Sequence, residues 1–207
     1  MGSSTPRPLI LASSSPRRAG YLRELGFAFR RVAPDIDEST RRGESPGRYV
    51  RRLAEAKALA VADRYPTHWV VGADTTVVVD GRILGKPKNE RDARRMLRLL
   101  SGRGHHVVSA VALARVRSGF LRSSVSLTRV VFQRLTPHEI RSYVQTGEPM
   151  GKAGAYGIQG KGAYLVARIE GSFSNVVGFP LEKFFELWTG AGLALPWDLV
   201  SRESASS

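Results

Sequence analysis

The stretch Pro8-Leu9-Ile10-Leu11-Ala12-Ser13-Ser14-Ser15-Pro16-Arg17-Arg18 reads as a strand, a loop and the first turn of a helix. Its apolar run from Pro8 to Ala12 is short and unbroken, and the residues after Pro16 keep helical periodicity through Leu22 and Leu25 to Gly26. Ser15 suits the N-cap, Pro16 the first helical position and Gly26 the residue just past the end, so both ends of the helix are signalled. Ser45-Pro46 repeats the start signal before a second helix, on which Val50, Leu53, Lys57 and Val61 share one face. A lysine on that apolar stripe is an anomaly.

Further along, Trp69 to Val71 reads as a buried strand ending at Gly72-Ala73-Asp74. Thr76 to Val79 and Arg82 to Leu84 flank Asp80-Gly81, a two-residue hairpin signal. That reading puts Asp74 at a strand end, entering a hairpin. Asn89 caps a third helix that Gly102 ends, and His106 to Val116 with Phe120 to Leu135 predict a central antiparallel pair. Thr136-Pro137-His138-Glu139 is a capping box, Tyr164 to Ile169 a further strand and Leu181 to Trp188 a last amphipathic helix. Helices alternate with strands, yet tight hairpins interrupt the alternation. The expected class is therefore α/β, a mixed twisted sheet flanked by helices.

The chain has 207 residues, 42% of them hydrophobic, enough for one domain with a sizeable core. That domain is expected over residues 8–195, with Ser-rich flexible termini at 1–7 and 199–207. No apolar run approaches the roughly 20 residues of a spanning helix, and Met1 to Pro8 lacks the apolar core of a signal peptide. Cysteine is absent, which excludes disulfides, thiolate zinc sites and cysteine nucleophiles, and fits a cytoplasmic location. Lys and Arg number 32 against 18 Asp and Glu, and the net charge of +14 favours polyanionic partners: nucleotides, nucleic acid or an acidic surface. No recognisable nucleic-acid-binding module accompanies the charge, and the aromatic residues follow apolar stripes.

The polar clusters fall where elements end, which is where open α/β sheets bind ligands. Ser13 to Arg18 offers hydroxyls, free amides and two guanidinium groups at a helix N-terminus, a natural phosphate site, although a capped surface helix explains the same residues. Two arginines in a first turn oppose the helix dipole and call for an anion. Glu38, in the acidic knot Asp35-Ile36-Asp37-Glu38, and Asp74 could together hold Mg²⁺, which commonly takes one or two protein carboxylates; a solvated loop and an ordinary turn residue are the bland alternatives. Lys57 and Lys86, the latter stiffened by Pro87, are candidates to meet phosphate, and a structural role suits either equally. The glycine-dense run Gly151 to Gly160 permits close backbone approach, and Gln159 could read a base edge. Neither a Walker loop nor a complete dinucleotide fingerprint is present.

Ile10 to Arg18, Gly72-Ala73-Asp74-Thr75, Leu84-Gly85-Lys86-Pro87, Leu100-Ser101-Gly102-Arg103, Lys152 to Gly160, Tyr49 to Ala54 with Lys57, and Ser174-Asn175-Val176-Val177-Gly178 together resemble the Maf family of nucleotide pyrophosphatases. The resemblance runs in order from about Leu9 to Leu187. It implies a fold like that of the inosine triphosphate pyrophosphatases, with two lobes around a nucleotide cleft, often as a homodimer. It also implies hydrolysis of nucleoside triphosphates to monophosphate and pyrophosphate with a divalent cation, Mg²⁺ or Mn²⁺. Asp74 matches the family's proton acceptor and Glu38, with Asp74, its metal-associated carboxylates. Ser13, Arg18, Lys57 and Lys86 match phosphate-contacting positions. Arg17, Thr75 and Gln159 match positions that mark the branch acting on dTTP and UTP, rather than the sister branch acting on 7-methyl-GTP. One departure is Gly151, where the family usually has an acidic residue. The family name also suggests a role in cell division, for which no residue here identifies a partner.

Overall fold

The computed structural model describes residues 9–198, so the expected termini at 1–7 and 199–207 lie outside the described residues, as does Pro8. Among the described residues seven strands form one mixed sheet: β1 (Leu9–Ala12), β2 (Phe29–Val32), β3 (Val70–Val79), β4 (Arg82–Leu84), β5 (Gly104–Arg115), β6 (Phe120–Phe132) and β7 (Val166–Glu170). Their order is β2-β1-β3-β5-β6-β7, and β4 pairs with β3. β1 lies parallel to both neighbours, whereas β3, β5, β6 and β7 follow one another antiparallel. The mixed sheet flanked by helices read from the sequence is the observed class.

The helices are α1 (Pro16–Glu24), α2 (Pro46–Ala62), α3 (Glu90–Leu100), α4 (Pro137–Gln145), α5 (Phe173–Val177) and α6 (Leu181–Gly190). The cap signals at α2, α3 and α4 hold: Ser45 accepts from Arg48 N, Asn89 from Asp92 N, and Thr136 with Glu139 closes a capping box. Helix α2 covers one face of the sheet, burying Val50, Ala54, Ala58 and Val61 against Val70, Ala110 and Ala112. On the other face α1 and α6 pack over Val71, Ala73, Val111 and Leu113. Farther along that same face α3 and α4 pack over Val77, Val79 and Val107. These two packs leave a cleft across the middle of β3.

Several local readings change. Asp74 does not end a strand: β3 runs unbroken from Val70 to Val79, because β5 pairs with it continuously from Val70 to Val78. On the opposite edge β1 pairs only with Val70 to Gly72 and β4 only with Val77 to Val79. Asp74 therefore faces a gap in the sheet, an opening that belongs to its neighbours. The exposed edge strand β2, not among the elements expected from the sequence, carries Arg30-Arg31, and that charge discourages pairing with another chain. The strand expected from Tyr164 starts at Val166, since Gly160 to Leu165 forms 3-10 turns.

Gly72 sets the contact between α2 and β3. A Cβ there would stand 2.3 Å from the Ala54 carbonyl and 2.7 Å from the Ala58 nitrogen, so only glycine lets the helix backbone rest on the strand. Gly72→Ala should cost about 1–3 kcal/mol as α2 is pushed outward. A urea midpoint equal to that of the native chain would show that the helix yields without penalty.

Candidate active site

The cleft has a volume of about 370 Å³ and is bordered by the Ser13–Arg18 segment, Glu38, Lys57, Asp74–Val77, Lys86 and Lys152. Strand alternation sends successive β3 side chains to opposite faces. Asp74 points toward α2, where Lys57 Nζ donates to its Oδ1 at 2.6 Å. The same ammonium stands 2.7 Å from Glu38 Oε1. The lysine that was anomalous on an apolar stripe is buried along its length and delivers its charge between two carboxylates. Among the described residues no hydrogen bond reaches Asp74 Oδ2.

Glu38 comes from an exposed loop tied down to α2. Tyr49 donates its hydroxyl to the Glu38 carbonyl at 3.0 Å, and Arg52 grips Glu44 through two bonds of 2.7 Å while donating to the Ser39 carbonyl. Burial works to raise the Glu38 carboxyl, but the bond from Lys57 and the charges of Lys57 and Lys86 outweigh it and hold the group below its ordinary range. Lys86 is largely exposed and lies 3.5 Å from Glu38 Oε2. Tyr49 was not singled out in the sequence, although it stands two helical repeats of four before Lys57.

At the start of α1 the capping differs from expectation. Ser15 holds the N-cap position but makes no side-chain capping bond; Ser13 Oγ accepts from Ser15 N instead, at 3.1 Å. Intrahelical bonding begins with Ala19 N to Ser15 O, so the Arg17 and Arg18 amides precede it and remain available to an anion. Arg18 turns inward, which accounts for part of its comfort in a first turn. Its Nε donates to the Gly178 carbonyl at 2.8 Å, and its terminal nitrogens donate to Ala73 O at 2.9 Å, Ser13 Oγ at 3.2 Å and Thr75 Oγ1 at 3.2 Å. Four of its five N–H groups are thus engaged, leaving one for a ligand.

Thr75, on the face opposite Asp74, also meets Ser109 Oγ at 2.9 Å and the Gly178 carbonyl at 3.2 Å. Arg17 Nε donates to Val177 O at 3.3 Å, and burial lowers the Arg17 pKa. Gln159 is not among the residues that border the cleft. It borders a neighbouring hollow with Arg17, Tyr21 and Glu24, and Pro16 and Arg17 border both.

Lys152, on the far wall, was not singled out. Its ammonium donates to the Glu148 carbonyl, and burial, then Arg17, depresses its pKa against the pull of Glu148. The Glu148 carboxylate holds the glycine-rich loop, accepting from Tyr143 OH at 3.0 Å, Gly162 N at 2.9 Å and Lys161 N at 3.0 Å. Gly151 has φ of 74°, a conformation that strains any side chain. Five cations therefore border the cleft with two carboxylates, an arrangement suited to a polyanion that carries its own cation.

The family model described as "Maf-like protein" matches residues 8–191. The chain belongs to the Maf-like family. Among Maf-like relatives, the Myxococcus xanthus protein described as "dTTP/UTP pyrophosphatase" is 50% identical over 91% of this chain and 95% of its own length. Relatives of the same description from Geobacillus sp. and Geobacter sulfurreducens are 51% and 52% identical, over 86% and 84% of this chain and 94% and 91% of theirs. Among solved structures, that of the Staphylococcus aureus Ham1 protein is similar with a TM-score of 0.43 and 14% identity, over 61% of this chain and 72% of that one.

The donor set can be tested against the divalent cation that the Maf-like family implies. Among the described residues no group of three or more His, Asp or Glu side chains could hold a metal. Glu38 and Asp74, however, already share one cationic atom within 2.7 Å of each. Two carboxylates fit Mg²⁺ or Mn²⁺ when phosphate oxygens and water complete the shell.

Proposed function

We propose that this chain is a nucleoside triphosphate pyrophosphatase that hydrolyses dTTP and UTP to the nucleoside monophosphate and pyrophosphate. The observation that carries the reading is Asp74, with one free carboxylate oxygen, in the sheet gap that opens into a cation-lined cleft. The relatives' shared description supports the substrate choice.

In this reading the triphosphate lies against Ser13 and the first turn of α1, and Lys57, Lys86 and the remaining N–H of Arg18 bind its oxygens. Asp74 Oδ2 orients a water and takes its proton as the oxygen attacks the α-phosphorus. The bond from that phosphorus to the bridging oxygen breaks, and pyrophosphate leaves with the electron pair. A divalent cation held by Glu38 and Asp74 would neutralise charge developing on the phosphate oxygens. Positioning and charge neutralisation supply most of the acceleration expected of phosphoryl chemistry. Arg17, Thr75 and Gln159 set the pyrimidine preference in this reading; Arg17 can act from the cleft, whereas Gln159 would act through the hollow beside it.

The test is pyrophosphate release from dTTP, UTP, CTP, GTP, ATP and 7-methyl-GTP with Mg²⁺ or Mn²⁺. Cleavage concentrated on dTTP and UTP and abolished by chelation is the expected result. Preference for 7-methyl-GTP would move the chain to the sister activity. No cleavage of any triphosphate would overturn the enzymatic reading.

A further inference from the structure

Lys57 is the one lysine whose ammonium is buried between two carboxylates among the described residues. Its side chain is 8% exposed, against 63% for Lys86, and its stem lies on the α2 face that buries Leu53 and Val61. The stem therefore restricts withdrawal into solvent. The two oxygens it contacts, Asp74 Oδ1 and Glu38 Oε1, come from the two carboxylates that would receive a metal.

We propose that Lys57 is an internal counter-ion that closes the Glu38–Asp74 pair to free divalent cation, so that metal binds only together with the nucleotide. This rests on the metal-dependent reading given above. A divalent cation arriving alone meets a positive charge already seated between its ligands, in a site partly removed from water where like-charge repulsion is poorly screened. Its carboxylates are already compensated. A triphosphate changes the balance, since its oxygens give the Lys57 ammonium a new partner on the cleft side and free the carboxylates for the metal. Metal and nucleotide then strengthen each other's binding, as linkage requires. Lys86 touches Glu38 at 3.5 Å but is exposed, so its charge is screened and should contribute much less.

The experiment measures Mn²⁺ binding to the full chain by water-proton relaxation enhancement, which separates protein-bound Mn²⁺ from the free ion and from its nucleotide complex. The probes are Mn²⁺ alone and Mn²⁺ with the non-hydrolysable α,β-methylene analogue of dTTP. The native chain is expected to bind Mn²⁺ roughly 10-fold to 100-fold more tightly with the analogue than without it. Lys57→Met should gain a comparable factor without nucleotide, and Lys86→Met should gain far less. Native protein that binds Mn²⁺ equally well with and without the analogue overturns the proposal, whether or not the Lys57 variant folds. So does a folded Lys57→Met protein with unchanged Mn²⁺ affinity. Absence of bound Mn²⁺ even with the analogue would overturn the metal-dependent reading itself, a distinct result.

Discussion

Asp74→Asn is expected to lower kcat on dTTP by roughly 10²-fold to 10⁴-fold, the usual cost of losing a positioned general base. The substitution keeps the shape of the side chain. Its carbonyl oxygen can still accept from Lys57, and that ammonium keeps its contact with Glu38 at 2.7 Å. Because Glu38 still compensates the Lys57 ammonium, the substitution leaves no unpaired buried charge, so the melting temperature should move little. The loss should therefore appear in turnover, with the fold intact. Undiminished kcat in Asp74→Asn would sink the assignment of the base and direct attention to Glu38, the other carboxylate on the cleft.

Arg18→Ala is expected to destabilise the chain by about 2–4 kcal/mol, since bonds to a charged donor each contribute about 1.5–3 kcal/mol and are not additive. One guanidinium joins the loop before α1, two positions of β3 and the residue after α5, through Ser13, Ala73, Thr75 and Gly178. Removing it takes the side-chain donor from the Ala73 carbonyl and one of two from the Gly178 carbonyl, which keeps Thr75 Oγ1 at 3.2 Å, all at a partly buried junction. Arg18→Lys should recover only a small part, because a single ammonium on a flexible stem cannot span four separated acceptors. Activity on dTTP should fall in both variants, through the displaced Ser13 loop as well as the lost phosphate donor. Urea unfolding with an unchanged midpoint in Arg18→Ala would show that water replaces these bonds without loss.

These two residues also mark how far the sequence could be read. The Ser-Pro helix starts, the Asn89 cap, the capping box at Thr136 and the Asp80-Gly81 hairpin are legible because each depends on residues within about four positions of one another. Asp80 and Gly81 take φ of 49° and 72°, the left-handed pair that such a hairpin turn requires. Helix α5 has five residues and no amphipathic pattern long enough to declare itself. The edge strand β2 carries Arg30-Arg31 where a strand signal would be expected, and the charge conceals the strand.

The sequence by itself determined the class of fold, most helix boundaries and the set of carboxylates and cations available for phosphate chemistry, because local spacing and residue type carry that information. Only the tertiary structure decided which of them meet. Lys57 and Asp74 are 17 residues apart, Lys86 and Glu38 are 48, and Arg18 and Gly178 are 160. The opening at Asp74 exists because β1 stops pairing with β3 at Gly72 and β4 begins at Val77, a consequence of three strands together. Lys57 reaches that opening because α2 rests on the Gly72 backbone, and Arg18 becomes a structural tie through four of its N–H groups because three segments place their acceptors around it. Such juxtapositions follow from packing over long chain separations, and no short window of sequence contains them.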